Sequence, residues 1–356
     1  MKRFLTNIWF NVLLILGLTV LSLVFALYDS YKTVWATITR MNLWELMLIL
    51  FWGFLPFLLW GMILTVLGKT IKKDYTLKQG IANAYIGGFV SGITPSSTGG
   101  QFAQTYAYSK SGLKTSQGAG LVWMDFFVHQ FVIVIMAVVL YLIFLNTFNN
   151  AAISVVFGVG LFANSVVVVL LWLMIQFPKL YHKIMFWGIH LMHRFKFVKN
   201  KEKILEDWNA TMTHFNDAIK AVSKNRKVFW QITGLYVVRM ALYFATPFAI
   251  GQILGTSLDW NDFFPMLALA GFVSISNTFI PLPGSSGATE SLFVLVFSVV
   301  IGKSAAASTM ILWRITNFYV PLIVGGTLFI RLRQINPLKP IQTDELFKES
   351  DDESNA

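Results

Sequence analysis

Cysteine is absent from this 356-residue chain. Its absence excludes disulfides, thiolate nucleophiles and cysteine-ligated metal sites. Charge is scarce as well. Only 13% of residues are charged, about half the ~25% of a soluble globular domain. The five histidines form no metal-ligand spacing: His182, His190, His193 and His214 lie in one basic stretch and His129 in an apolar run. No Walker loop and no dinucleotide fingerprint can be read. No metal, no cofactor and no ATP-driven step is therefore expected of the chain.

What is present is apolar. Hydrophobic residues make up 56% and aromatics 15%, and the mean hydropathy is +0.63. Several runs reach or approach the ~20 apolar residues that cross a bilayer. Full spans are expected at roughly 8–27, 43–67, 118–145, 151–177, 228–254 and 305–331. The first begins like a signal peptide, with Lys2 and Arg3 ahead of an apolar core. That core is long for a signal sequence, so an uncleaved span is expected. Two further apolar segments, about 80–94 and 262–280, run into Gly/Pro/Ser-rich stretches. Segment 291–301 is too short to span alone. The fold class is an all-α polytopic membrane protein, with six full spans plus two re-entrant hairpins, or eight spans if the broken segments cross.

Basic residues orient such a chain. They cluster before the first span, at Lys69 to Lys78, across 178–227 and after Arg331. Segment 178–227 carries eleven Lys/Arg against four Asp/Glu. Six spans place every cluster in the cytoplasm together with both termini. Segment 178–227 reads as amphipathic helix on the inner face, attracted to anionic lipid. The net charge of +11 is thereby explained without nucleic acid. The expected organisation is one transmembrane unit, 1–335, with halves at about 43–145 and 228–331 linked by 178–227. An acidic, disordered tail follows at 336–356.

The two broken segments resemble one another. "GFVSGITPSSTGGQF" (88–102) and "GFVSISNTFIPLPGSSGATESLF" (271–293) both open with Gly-Phe-Val-Ser and then reach a proline followed by Ser, Thr and Gly. Gln101 comes six residues after Pro95, and Glu290 seven after Pro283. "LVW" at 121–123 and "ILW" at 311–313 follow at matching distances. In the six-span topology the hairpins enter from opposite sides, so the repeat is inverted. Interrupted segments at matching places in two inverted halves point to a binding site in transporters. A helix broken inside the bilayer frees backbone groups that lipid cannot satisfy, and protein or a watery cavity must cover them. Freed N–H groups also attract anions. The bland alternative is two tight turns with small residues for helix packing.

Ionisable residues inside spans are candidates for function. Arg239 and Arg314 lie deep in their spans. Arginine binds phosphate oxygens bidentately and keeps its charge when buried. Asp125 and His129 are four apart and share a helix face. Together with Glu290 they are candidate proton carriers. The alternative is neutralisation, Arg314 by Glu290 and Arg239 by Asp125. The candidate substrate-binding set is Thr94, Pro95, Ser96, Ser97, Thr98, Gly99, Gly100, Gln101, Arg239, Asn277, Pro281, Pro283, Gly284, Ser285, Ser286, Gly287, Glu290 and Arg314. No catalytic residue is assigned.

"TPSSTGGQ" (94–101), "YAYSKSGL" (106–113) and "PLPGSSGATE" (281–290) resemble the signature stretches of the lysylphosphatidylglycerol synthase transmembrane-domain family, the flippase-like half of multiple-peptide-resistance factors. The resemblance runs from the first span to about residue 335. It implies a multi-pass protein of the bacterial cell membrane with two re-entrant segments around a lipid path. In full-length relatives a soluble domain transfers lysine from lysyl-tRNA to phosphatidylglycerol. Here only a short acidic tail follows the last span. The expected function is therefore a lipid flippase acting on a phospholipid or glycolipid such as aminoacyl-phosphatidylglycerol. The alternatives are a phosphatidylglycerol lysyltransferase, with lysyl-tRNA as partner, and a scaffold for a lipid-modifying enzyme. A second copy of the chain is a further candidate partner.

Overall fold

A computed structural model describes residues 35–36, 39–94, 97–144, 151–177, 201–277, 280 and 282–334. The expected first span, residues 178–200 and the tail lie outside them. The described residues form α1 (Leu43–Lys69), α2 (Leu77–Ile93), α3 (Gly99–Lys110), α4 (Thr115–Ile143), α5 (Ala151–Gln176), α6 (Lys201–Ser223), α7 (Arg226–Ile253), α8 (Phe263–Asn277), α9 (Ala288–Ile301), α10 (Lys303–Arg314) and α11 (Val320–Gln334). No strand occurs among the described residues. Six helices among them are long and apolar enough to cross a membrane: 43–69, 115–143, 157–176, 226–253, 283–301 and 303–334. The protein is an all-α polytopic membrane protein.

Segment 283–301 refines one expectation without reversing it. Read as 291–301 it is too short to span, but its helix starts at Ala288 and the preceding turn lengthens it to 19 residues. The continuous helix is 14 residues, about 21 Å at 1.5 Å per residue. That falls short of the ~30 Å hydrocarbon core.

Local signals set the helix ends. Asn42 caps α1 by accepting from the Glu45 N–H, and Glu45 accepts from the Asn42 N–H, both at 2.9 Å. Thr76 and Gln79 form the same reciprocal cap on α2. Apolar residues surround most of these helices. Trp44, Phe51, Leu142, Phe162, Leu170, Leu295 and Ile323 point outward and are exposed. In water such a surface would aggregate; in a bilayer it is the lipid-facing wall. Helix α6 differs, since it is polar on one side and buries Ala218, Ile219 and Val222 on the other. It lies along α4, where the Phe215 carbonyl approaches Gly120.

The packing has a two-fold pattern. α1 packs on α2 as α7 packs on α8, α2 on α3 as α8 on α9, and α2 on α11 as α8 on α4. The centre is the α1–α7 crossing. Trp52 Nε1 donates to the Leu242 carbonyl at 3.2 Å, and Arg239 Nε to the Pro56 carbonyl at 3.1 Å. As one residue number rises the other falls, so the leading helices of the two halves run antiparallel. α2 runs against α1, with Phe57 stacked on Tyr85 and Gly61 beside Ile81. α8 runs against α7, with Phe248 on Phe263 and Phe244 beside Gly271. The broken hairpins therefore point in opposite directions.

Candidate functional site

Each hairpin turns on a short tip whose backbone is held by side chains. In the first, Thr94 Oγ1 donates to the Val90 carbonyl at 2.7 Å and accepts the Gly99 N–H at 3.0 Å. Helix α3 then folds back on α2 so tightly that a Cβ on Gly100 would lie 2.8 Å from the Gly87 carbonyl oxygen. In the second tip, Arg314 Nη1 donates to the Gly284 carbonyl at 3.3 Å. Asn164 of α5 donates to the Ile275 carbonyl, also at 3.3 Å. These bonds satisfy carbonyls that a helix break would strand in an apolar medium.

A serine in each tip occupies the left-handed region, Ser97 at φ 56° and Ser285 at φ 50°. That conformation is rare for a residue with a Cβ. The two serines fall at the same place in a shared Pro-x-Ser-x-Gly pattern, 95–99 and 283–287. This register pairs Gln101 with Thr289, so the expected Gln101–Glu290 correspondence is displaced by one residue.

The tips meet. A Cβ on Gly284 would lie 3.2 Å from the Gly92 carbonyl oxygen and 2.4 Å from the Phe318 ring. Between them is a cavity of about 220 Å³. Of the candidate set, Ser97, Asn277, Gly284, Ser285 and Arg314 line it. Thr94, Thr98, Gly99, Gly100, Gln101, Arg239, Pro283, Ser286, Gly287 and Glu290 do not. Pro95, Ser96 and Pro281 lie outside the described residues. Sequence reasoning missed Gly88, Ser91, Gly92 and Thr289, although all four sit inside the matched stretches. It also missed Tyr243, one turn beyond Arg239, and Trp313, Asn317 and Phe318, which flank Arg314.

The expected Arg314–Glu290 pair is present. Arg314 Nε lies 2.9 Å from Glu290 Oε1, and both side chains are at most 6% exposed. The contact lacks hydrogen-bond alignment, and Nη2 has no partner. The guanidinium lies 4.9 Å above the Phe318 ring. Glu290 Oε2 accepts the Gly287 N–H at 2.7 Å. One carboxylate thus caps the N-terminus of α9, where its charge is favoured, and neutralises the arginine.

The expected Arg239–Asp125 pair is not a direct contact. Asp125 accepts from Tyr236 Oη at 2.5 Å and from Trp60 Nε1 at 3.1 Å. Arg239 covers those same rings, 4.7 Å from Trp60 and 5.6 Å from Tyr236. Two aromatic donors thus stand between the charges. His129 packs on Tyr236 with ring centroids 5.5 Å apart, and its Nδ1 is buried without a partner. This cluster joins α1, α4 and α7 and does not line the cavity. Among the described residues, no group of three or more His, Asp or Glu could hold a metal ion.

Two antiparallel broken hairpins closing on one polar cavity, among helices with apolar outer faces, define a polytopic membrane protein with an internal cavity. Residues 8–325 match the family described as the lysylphosphatidylglycerol synthase TM region. The chain belongs to that family. It is also similar to a UPF0104 membrane protein of Archaeoglobus fulgidus, at 22% identity over 330 residues that cover 88% of this chain and 94% of that protein.

Proposed function

We propose that the protein is a lipid flippase of the cell membrane, with both termini cytoplasmic. A headgroup crosses through the cavity between the two tips while the acyl tails stay in lipid. The observation that carries this reading is the convergence of both tips on a polar, arginine-containing cavity. Broken backbone inside a bilayer is tolerated only where protein or a water-filled cavity covers it. The basic segment 178–227 would hold anionic lipid on the inner face. The Asp125–His129 cluster supplies protonatable groups for coupling to a gradient.

Translocation in proteoliposomes tests the reading. Wild-type protein should move a lipid between leaflets. Arg314→Lys keeps a cation opposite Glu290 but loses the planar fork, and should slow movement about tenfold while the protein stays folded. Equal rates in both proteins would remove Arg314 from the passage. No movement of any lipid would reject the flippase reading.

A further inference from the structure

We infer that the headgroup this cavity takes is uncharged and polyhydroxylated, a glycosyl group on a lipid rather than a cationic aminoacyl group. The inference rests on the flippase reading and names the substrate class of the same cavity.

Charge is the first ground. Among the described residues, Arg314 is the one charged side chain lining the cavity, and Glu290 already neutralises it at 2.9 Å. Residues 88–104 and 263–289 contain no other Asp, Glu, Lys, Arg or His. A lysyl headgroup brings two ammonium groups, and burying an ammonium without a carboxylate is costly. Glu290 cannot serve, because it does not line the cavity and its charge already faces Arg314. A free anion gains little from an arginine whose charge is already met.

Hydrogen-bonding character is the second. Four cavity-lining residues carry a buried polar atom without a partner. Asn277 Oδ1 and Asn317 Oδ1 are acceptors, while Arg314 Nη2 and Trp313 Nε1 are donors. Ammonium only donates and phosphate only accepts, whereas a hydroxyl does both. A polyhydroxylated ring can donate to and accept from such residues at once. Tyr243 and Trp313 also line the cavity, with ring centroids 5.9 Å apart, and add apolar surface to its wall.

Size is the third. The cavity of about 220 Å³ lies below the ~300 Å³ at which pockets for drug-sized ligands begin. It suits one compact unit.

The test compares a monoglucosyl diacylglycerol, phosphatidylglycerol and lysyl-phosphatidylglycerol in the same proteoliposomes. The glucosyl lipid should move at least tenfold faster than the lysyl lipid, with phosphatidylglycerol also slower. Asn277→Asp, nearly isosteric, places a free carboxylate on the cavity wall. It should raise the lysyl-to-glucosyl rate ratio at least tenfold. If that variant does not fold, the wild-type ranking decides alone. Fastest movement of the lysyl lipid or of phosphatidylglycerol overturns the inference and leaves the flippase reading standing. An unchanged ratio in folded Asn277→Asp also overturns it. If no lipid moves, the flippase reading falls and this inference with it.

Discussion

The two hairpins share a backbone and differ in chemistry. Each breaks after an apolar helix and turns through a left-handed serine, and each lends that serine to the cavity. The first contains no ionisable residue between Gly88 and Gln104. Where the second buries Glu290 completely, the first presents Phe102, 78% exposed. Repetition therefore accounts for the shape of the cavity, and a departure from repetition accounts for its charge. The cavity is two-fold in form and one-sided in electrostatics.

Breaking the ion pair gives the largest expected effect. Arg314→Ala leaves a buried carboxylate alone, which costs about 3–5 kcal/mol. Gln101→Ala, in the uncharged hairpin, should cost less than about 0.5 kcal/mol. Thermal unfolding in detergent measures both, and equal costs would erase the asymmetry. The next effect concerns the meeting point of the tips. Gly284→Ala places a methyl against Phe318 at a positive φ, for about 1–3 kcal/mol. Gly99→Ala meets only the Thr94 and Val90 side chains at an ordinary φ and should cost less than half as much. The smallest effect has the opposite sign. Ser97→Gly relieves the left-handed conformation and should stabilise by about 1 kcal/mol. Ser285→Gly should gain less, because the Ser285 hydroxyl also reaches the Asn277 carbonyl at 3.3 Å. Equal gains would mean that this hydrogen bond contributes nothing.

How far the sequence led depends on the kind of signal. Apolar runs and basic loops declared the helices, because bilayer thickness and backbone satisfaction leave few other solutions. The matched stretches located the tips for the same reason. The cavity wall was legible only in part, at five of its thirteen described lining residues. Ser97, Gly284, Ser285, Asn277 and Arg314 carry their own signal as polar groups in an apolar context. Trp313, Phe318 and Tyr243 carry none, since an aromatic in a membrane helix faces lipid as readily as a cavity. The pairing of charges was legible where the partners occupy adjoining elements, as with Glu290 and Arg314. It failed for Arg239 and Asp125, because Trp60 and Tyr236 enter from α1 and α7 and accept the task of satisfying the carboxylate. No spacing along one helix encodes that.

Immediately after Arg314 the helix takes one π-turn, Ile315–Tyr319, before α11 begins. Thr316 in that turn donates to the Ile49 carbonyl at 3.0 Å. A π-turn holds an extra residue, and one residue is worth about 100° of rotation about a helix axis. The turn is therefore a phase shifter. Upstream of it, Arg314 addresses Gly284 and Glu290. Downstream, Phe329 addresses Phe89 of α2. Losing a single residue there would leave the length of the span almost unchanged while swinging one face out of alignment with the other. The angular setting of the arginine is thus a property of residue count as well as of the groups that touch it.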